Sequence, residues 1–424
     1  MDAERQPVIV DPPLRLDGVQ IARISTVPFY VVAQLKHQIS FLGSLGATVT
    51  VVASDEPEFS ELQGIPGVSC HTIDISRAIS PWRDFLALIH LWRFFAAQRV
   101  QIAHSTTPKA GLLTAIAAFL AGVPIRLHTF TGQPWVTLHG IKRWLARSSD
   151  IIIGKLNTRC YADSPGQSTF LVAQKIIAPH RLFVMGSGSL AGIDTTRFER
   201  SRFSASERSA LKKSLEIPEN APLLLFVGRI TADKGVRELL QAFQHVTKRG
   251  SAAHLVLVGH FDNDSGMGNN ISRQDVTNVG QTHVVDYTSI PEAYMAIADV
   301  LCLPSYREGF GTVVIEAAAM GLPTIGTDIY GLSDAVVNGE TGILVPPYDA
   351  EALALAIEKL LSDRELRERM GLAAKQRVRV CFDVEMFNKK VAEEYQLLLN
   401  AAGIPVVRRQ TVAPTGPMGP RENG

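Results

Sequence analysis

Three short segments in the second half of the chain carry side chains able to hold a phosphorylated, hydroxyl-rich ligand. In Gly228-Arg229-Ile230-Thr231-Ala232-Asp233-Lys234-Gly235 a guanidinium and an ammonium share one loop. Arg offers a planar fork to phosphate oxygens, and Lys a movable point charge. In the second segment, from Pro304 to Glu316, Glu308 and Glu316 stand on either side of Gly309-Phe310-Gly311-Thr312. The glycines permit a tight turn whose backbone amides can approach a ligand. The carboxylates are natural acceptors for vicinal hydroxyls of a ribose or hexose. The third segment, Gly326 to Asp334 followed by Asn338-Gly339-Glu340-Thr341-Gly342, is turn-rich and suits a diphosphate or a sugar. Alone, each would pass for a solvated loop; as a set they point to a site.

These residues act together only if the elements around them place them at one edge. Leu223 to Val227 is a continuous apolar run, as expected of a strand buried on both faces, and a helix is predicted over Val236 to Lys248. Strands follow at His254 to Val258, Val300 to Pro304 and Pro323 to Gly326. They alternate with helices near Pro291 to Ile297, Thr312 to Met320 and Glu351 to Leu361. The first half reads the same way, with strands at Gln20 to Ser25, Ala47 to Ala53, Ile102 to Ser105, Ile125 to Thr129, Ile151 to Gly154 and Arg181 to Met185. Helices are predicted there over Val31 to Leu45 and Ala110 to Leu120. Such alternation implies right-handed βαβ units and parallel sheets. Open sheets of this kind bind ligands outside the carboxyl ends of their strands, so two facing domains would enclose a cleft.

The expected division is a polar segment 1–18, a first domain 19–187, a linker 188–196, a second domain 197–383, a helix 384–403 and a tail 404–424. With 424 residues, 46% of them hydrophobic and 20% charged, two soluble α/β domains are affordable. Cys70, Cys160, Cys302 and Cys381 form no CxxC pair, which argues against structural zinc or a disulfide framework and suits a reducing cytoplasm. Met1 to Gly18 has no apolar core of the kind a signal peptide needs. The longest apolar run, Ala110 to Ile125, is interrupted and too short for a membrane span.

Net charge is +1, but it is unevenly placed: Arg77 to Arg181 holds 13 Lys/Arg against three acids. That half-domain is built to face something anionic. Its segment Pro81 to Arg99 interleaves Trp82, Phe85, Trp92, Phe94 and Phe95 with Arg83 and Arg93. One reading is an amphipathic helix filling the core; the other is a face resting on anionic lipid at the inner side of a membrane. No nucleic-acid partner is expected. Asp262-Asn263-Asp264 looks like a metal-chelating DxD but falls in a Gly/Asn-rich loop away from the other segments, so no bound metal and no cofactor are expected. No GxGxxG follows the first strand and no P-loop is present, which disfavours nicotinamide and ATPase chemistry.

With these motifs in place, the chain resembles the family 4 glycosyltransferases, whose fold is GT-B: α/β, with two Rossmann-like domains facing a central cleft. The resemblance rests on GRITADKG, PSYREGFGTVVIEAAAMGLPTIGTDIYGLSDAV and NGETGILVPPYD in the second half. In the first half, HSTTPKAGLL, TFTGQPW and ADSPGQSTFL look like a bacterial subgroup that builds capsule, O-antigen or exopolysaccharide on polyprenyl-linked sugars. The resemblance implies a nucleotide-sugar donor, by subgroup a UDP-sugar, and a lipid-linked saccharide acceptor. It implies that Arg229 and Lys234 neutralise the donor diphosphate, that Glu316 binds the ribose, and that Glu308 holds hydroxyls of the transferred sugar. The catalytic set is then Glu308, Arg229 and Lys234, with Gly228, Gly309, Phe310, Gly311, Thr312 and Glu316 as the donor-binding frame. It also implies retention of configuration, with a leaving phosphate oxygen taking the acceptor proton. Two departures stand on the acceptor side. Ser25-Thr26-Val27-Pro28-Phe29-Tyr30 replaces a Gly-rich loop, and Thr131-Gly132 stands where many members have His-Gly. His128, three residues earlier, is expected to pack in the core. The competing functions are a nucleotide-sugar epimerase or phosphorylase of similar architecture, and a non-catalytic nucleotide-sugar-binding partner protein.

Overall fold

The computed structural model describes residues 14–76, 80–261 and 271–406. The DxD-like Asp262-Asn263-Asp264, the first part of the N-terminal segment and most of the tail lie outside them. The first sheet contains β1 (Gln20–Ile24), β2 (Thr48–Ala53), β3 (Val68–Thr72), β4 (Ile102–Ser105), β5 (Ile125–Phe130), β6 (Arg159–Ala162) and β7 (Leu182–Val184), in the order β3-β2-β1-β4-β5-β6-β7. The second contains β8 (Leu223–Val227), β9 (His254–Val258), β10 (Thr282–Val285), β11 (Val300–Leu303), β12 (Thr324–Thr327) and β13 (Gly342–Val345), in the order β10-β9-β8-β11-β12-β13. Every pairing is parallel.

Parallel strands need helical crossovers on both faces, and the strand residues show it. In β1, Ile21 joins a cluster with Leu35, Ile39 and Leu42 of the helix Pro28–Ser44. Its neighbours Ala22 and Ile24 join the opposite cluster, with Leu91, Phe94 and Phe95 of the helix Pro81–Gln98. The period-two alternation of a strand thus feeds two separate cores.

The strands differ from the sequence reading in both sheets. Ile151 to Gly154 is not a strand but the end of the helix Gly140–Leu156, and the strand is Arg159–Ala162. A run of three isoleucines favours a strand locally, but here only Ile153 is fully buried, and the run continues a helix already under way. β3, β10 and β13 were not predicted as strands. All three are sheet edges, and β3 has a largely exposed, polar sequence without alternation.

The chain crosses between the domains twice. Ile193 bonds to Phe382 and Val384 through backbone groups at 2.7 and 3.1 Å, tying the two crossings side by side. The final helix, Val384–Ala401, then returns to the first domain, where Phe387, Val391, Tyr395 and Leu399 complete the core above β1.

Candidate functional site

The loop leaving β8 turns at Gly228 and runs into a short 3-10 turn at Ala232–Lys234. Buried Asp233 organises it. The Thr231 hydroxyl donates to its Oδ1 at 2.5 Å, while Arg229 and Arg307 approach its Oδ2 at 3.8 and 3.4 Å. Burial pushes this carboxyl up, but the Thr231 bond and the cations Arg229, Lys234 and Arg307 outweigh it and hold it below its ordinary value. The acid therefore stays charged and gathers these cations where the ends of the adjacent strands β8 and β11 meet.

Lys234 reaches across to the next strand end, where its Nζ lies 2.5 Å from Oε1 of Glu308. Ser305 donates to the same oxygen at 2.8 Å. The loop carrying Glu308 bends sharply: Gly311 has φ of 84°, a left-handed conformation that favours glycine, and caps the helix Thr312–Ala319. Gly311 has no side chain to cap the helix, so its first amides are suited to a ligand. Phe310 is buried against Phe382, so its ring props the loop from behind rather than facing the cleft.

Glu316 lies one turn further along this helix, on the wall of a cleft of about 900 Å3 between the domains. Gly228 and Arg229 also line this cleft, as do Phe29 and His37 of the first domain. Burial pushes the Glu316 carboxyl up to about 7, with Arg197 opposing the shift and Glu292 adding to it. Arg197 is itself clamped by Glu292 through two bonds of 2.9 Å. Thr312 lines a smaller recess that also contains Glu316 and Arg197. The structure thus gathers Gly228, Arg229 and Glu316 on the main cleft, and joins Lys234 to Glu308 beside it.

Across from this loop the first domain makes direct contact. A methyl group at Gly309 would stand 2.7 Å from Asp163 Oδ2 and 2.8 Å from the Thr131 carbonyl carbon. Only glycine admits so close an approach. Nearby, Tyr330 donates to Gln133 at 3.2 Å and stacks on Phe170, and the Gly166 amide donates to Asp334 at 2.8 Å. Asp163 is buried, its Oδ1 has no hydrogen-bond partner, and burial raises its pKa to about 8. A neutral acid at the seam is the outcome.

Sequence reasoning passed over Asp163, Arg197 and Arg307. Arg307 adjoins Glu308 and could have been found. Asp163 sits inside ADSPGQSTFL, but its burial against the other domain leaves no trace in the local pattern. Arg197 stands just after the linker, at the start of the second domain, without any motif. His128 is buried, 2.9 Å from the Ser105 hydroxyl, with its pKa lowered to about 3 by burial. It is a neutral core residue.

Residues 31–188 match the family described as glycosyl transferase 4-like domain, and residues 207–377 the one described as glycosyl transferases group 1. The capsular polysaccharide biosynthesis glycosyltransferase CapM of Staphylococcus aureus is 30% identical over 368 residues, 86% of this chain and 94% of CapM. A glycosyltransferase from Rickettsia africae matches in structure with a TM-score of 0.72 at 20% identity, over 90% of this chain and 98% of that one. Anabaena HepE, solved with UDP and glucose, gives 0.72 at 18% identity, over 89% and 100%. The two facing Rossmann-like domains with a ligand cleft at their strand ends are those of a GT-B enzyme. The chain belongs to the group 1, family 4-like glycosyltransferases.

Proposed function

We propose that this glycosyltransferase moves a hexosyl group from a UDP-sugar to a polyprenyl-linked or saccharide acceptor, with retention, in the synthesis of a cell-surface polysaccharide at the cytoplasmic face of the membrane. The observation that carries this reading is the convergence of Arg229, Lys234, Glu308 and Glu316 at the carboxyl ends of β8 and β11. The similarity to CapM supports the polysaccharide context, and the likeness to HepE is compatible with a UDP donor.

In this mechanism the bond between the anomeric carbon and the diphosphate oxygen breaks while the acceptor oxygen bonds to the same face of that carbon. The acceptor proton passes to the departing phosphate oxygen, so no protein nucleophile is required. Arg229, Lys234 and the amides at Thr312 stabilise the negative charge that develops on the diphosphate. Glu316 takes the ribose hydroxyls. Glu308 takes hydroxyls of the sugar, which positions the anomeric carbon. Before the donor arrives, Lys234 and Glu308 satisfy each other, so neither stands as an uncompensated, half-buried charge. No metal enters this scheme.

The test is a screen of UDP- and GDP-sugars with membrane extract as acceptor, read by product mass. Lys234→Ala and Glu308→Ala should each lower turnover by about a hundredfold or more while the circular dichroism spectrum is unchanged. Incorporation from none of the donors, or full turnover in both variants, would sink the proposal.

A further inference from the structure

Two helices of the first domain carry apolar side chains on the side that faces away from the core. In Pro81–Gln98 the buried stripe is Ala87, Leu91, Phe94 and Phe95. A second stripe at helical spacing, Trp82, Phe85, Leu86 and Trp92, is exposed, with Trp82 at 70%. In Gly140–Leu156 the same happens: Ile141, Trp144 and Leu145 are exposed, Ile141 at 69% and Trp144 at 62%. Single exposed apolar residues are ordinary, but two stripes on helices of one domain are not.

The exposed charged residues of these helices are of one sign. Arg83, Arg93, Lys142 and Arg143 are exposed on these helices. The two acids of the helices are both engaged: Asp84 pairs with Lys109 at 2.7 Å, and Asp150 is buried, accepting from the Trp135 indole at 2.7 Å. Both helices pack on the helix Pro108–Leu120 between them, which sets their axes roughly 16–20 Å apart. Both follow parallel strands, so both begin at the carboxyl edge of the sheet, which is the edge of the cleft. Apart from Trp92 and Arg93, these exposed residues lie in the first two turns of the helices. From Gly132, which faces Gly309 across the domain seam, the chain runs directly to Ile141.

We propose that these two helices form a single platform that docks the enzyme on an anionic bilayer, with the mouth of the cleft held at the headgroups. Indole and aliphatic side chains enter the interface while Arg and Lys meet the phosphates, and no carboxylate of the two helices opposes them. The sequence suggested such a face for the first helix only; the second is brought beside it by the fold. The platform gives a reason for the lipid-linked acceptor of the proposed function, yet docking can be measured without catalysis and stands or falls independently of it.

The test uses the purified full chain and vesicles of phosphatidylcholine with or without phosphatidylglycerol. Three of the four tryptophans, Trp82, Trp92 and Trp144, lie exposed on the platform while Trp135 is buried, so their emission reports docking directly. The chain should sediment with the anionic vesicles at low salt, shift its emission to the blue, and release as salt is raised. Trp82→Glu combined with Trp144→Glu, and separately Lys142→Glu combined with Arg143→Glu, should each weaken vesicle affinity by at least about tenfold. Thermal unfolding should stay where it was, because all four side chains are exposed. Three outcomes would overturn the proposal: no binding by the folded wild type, binding by either double variant as tight as that of the wild type, or sedimentation velocity showing a dimer that the tryptophan variant dissolves.

Discussion

Glu316 shows how burial prepares a side chain for one kind of partner. Its carboxyl stands on the cleft wall with a pKa pushed up to about 7, so it changes charge around neutral pH. If its ionised form accepts the ribose hydroxyls, donor binding should weaken as the solution is acidified. Between pH 7 and pH 6 the KM for the donor is expected to rise about fivefold, as the ionised fraction falls. Glu316→Gln should raise KM at neutral pH and flatten the profile. An unchanged profile in the Gln variant would assign the pH dependence elsewhere. Lys234 and Glu308 behave differently, because each meets its opposite charge at 2.5 Å. Their identity was legible in the sequence; that they hold each other was not, since they lie on different strand ends 74 residues apart.

Among the elements, the helix Val384–Ala401 carries the most unexpected duty. It begins in the second domain and closes the core of the first, with the Tyr395 hydroxyl 2.9 Å from Arg23 Nη1 and 2.6 Å from His104 Nδ1. Burial, with Arg23 adding to it, holds His104 well below the usual imidazole range, so its ring is neutral and can accept from the guanidinium. Tyr395→Phe removes the hydroxyl from this buried group of polar side chains and should cost about 1–3 kcal/mol in urea unfolding. Leu397→Ala, on the exposed side of the same helix, should change stability by no more than about 0.5 kcal/mol. Equal effects at the two positions would show that the buried network contributes nothing. The helix itself was readable from its periodicity. Its partner was not, because an amphipathic stripe says that a core exists and not which one.

The whole molecule is closed by a seam in which Asp163 meets the backbone of Gly309. An aspartate with an ordinary value of 3.8 raised to about 8 by burial has a definite linkage sign. Its contribution to stability is full below about 4 and is lost as pH rises through 8. Above that point the ionised carboxyl must gain water, and the seam is the nearest route to it. The ligand-free enzyme is therefore expected to open between pH 6 and pH 9, with an increased radius of gyration in small-angle X-ray scattering. Asp163→Asn should stay compact over the same range and exceed the wild type in stability at pH 9 by about 1–3 kcal/mol. Glu316 and Asp150 titrate in the same direction near 7, so the comparison must be between the two proteins and not within one. Identical scattering from both would refute the coupling.

What the sequence determined by itself was the local chemistry and the central strands. Apolar runs such as Leu223–Val227 and His254–Val258 must be buried wherever they lie, and Gly309 and Gly311 beside Glu308 fix a turn and its charges within a few residues. The edge strands β3, β10 and β13 left a weaker mark, because a strand paired on one side needs less apolar sequence. Only tertiary structure decided which distant groups meet: Lys234 with Glu308, Asp163 with Gly309, Tyr395 with Arg23, and the second apolar stripe of Gly140–Leu156 beside that of Pro81–Gln98. Each of these depends on the relative placement of sheets and helices, and the free energy of that placement is spread over the core rather than written at the residues it brings together.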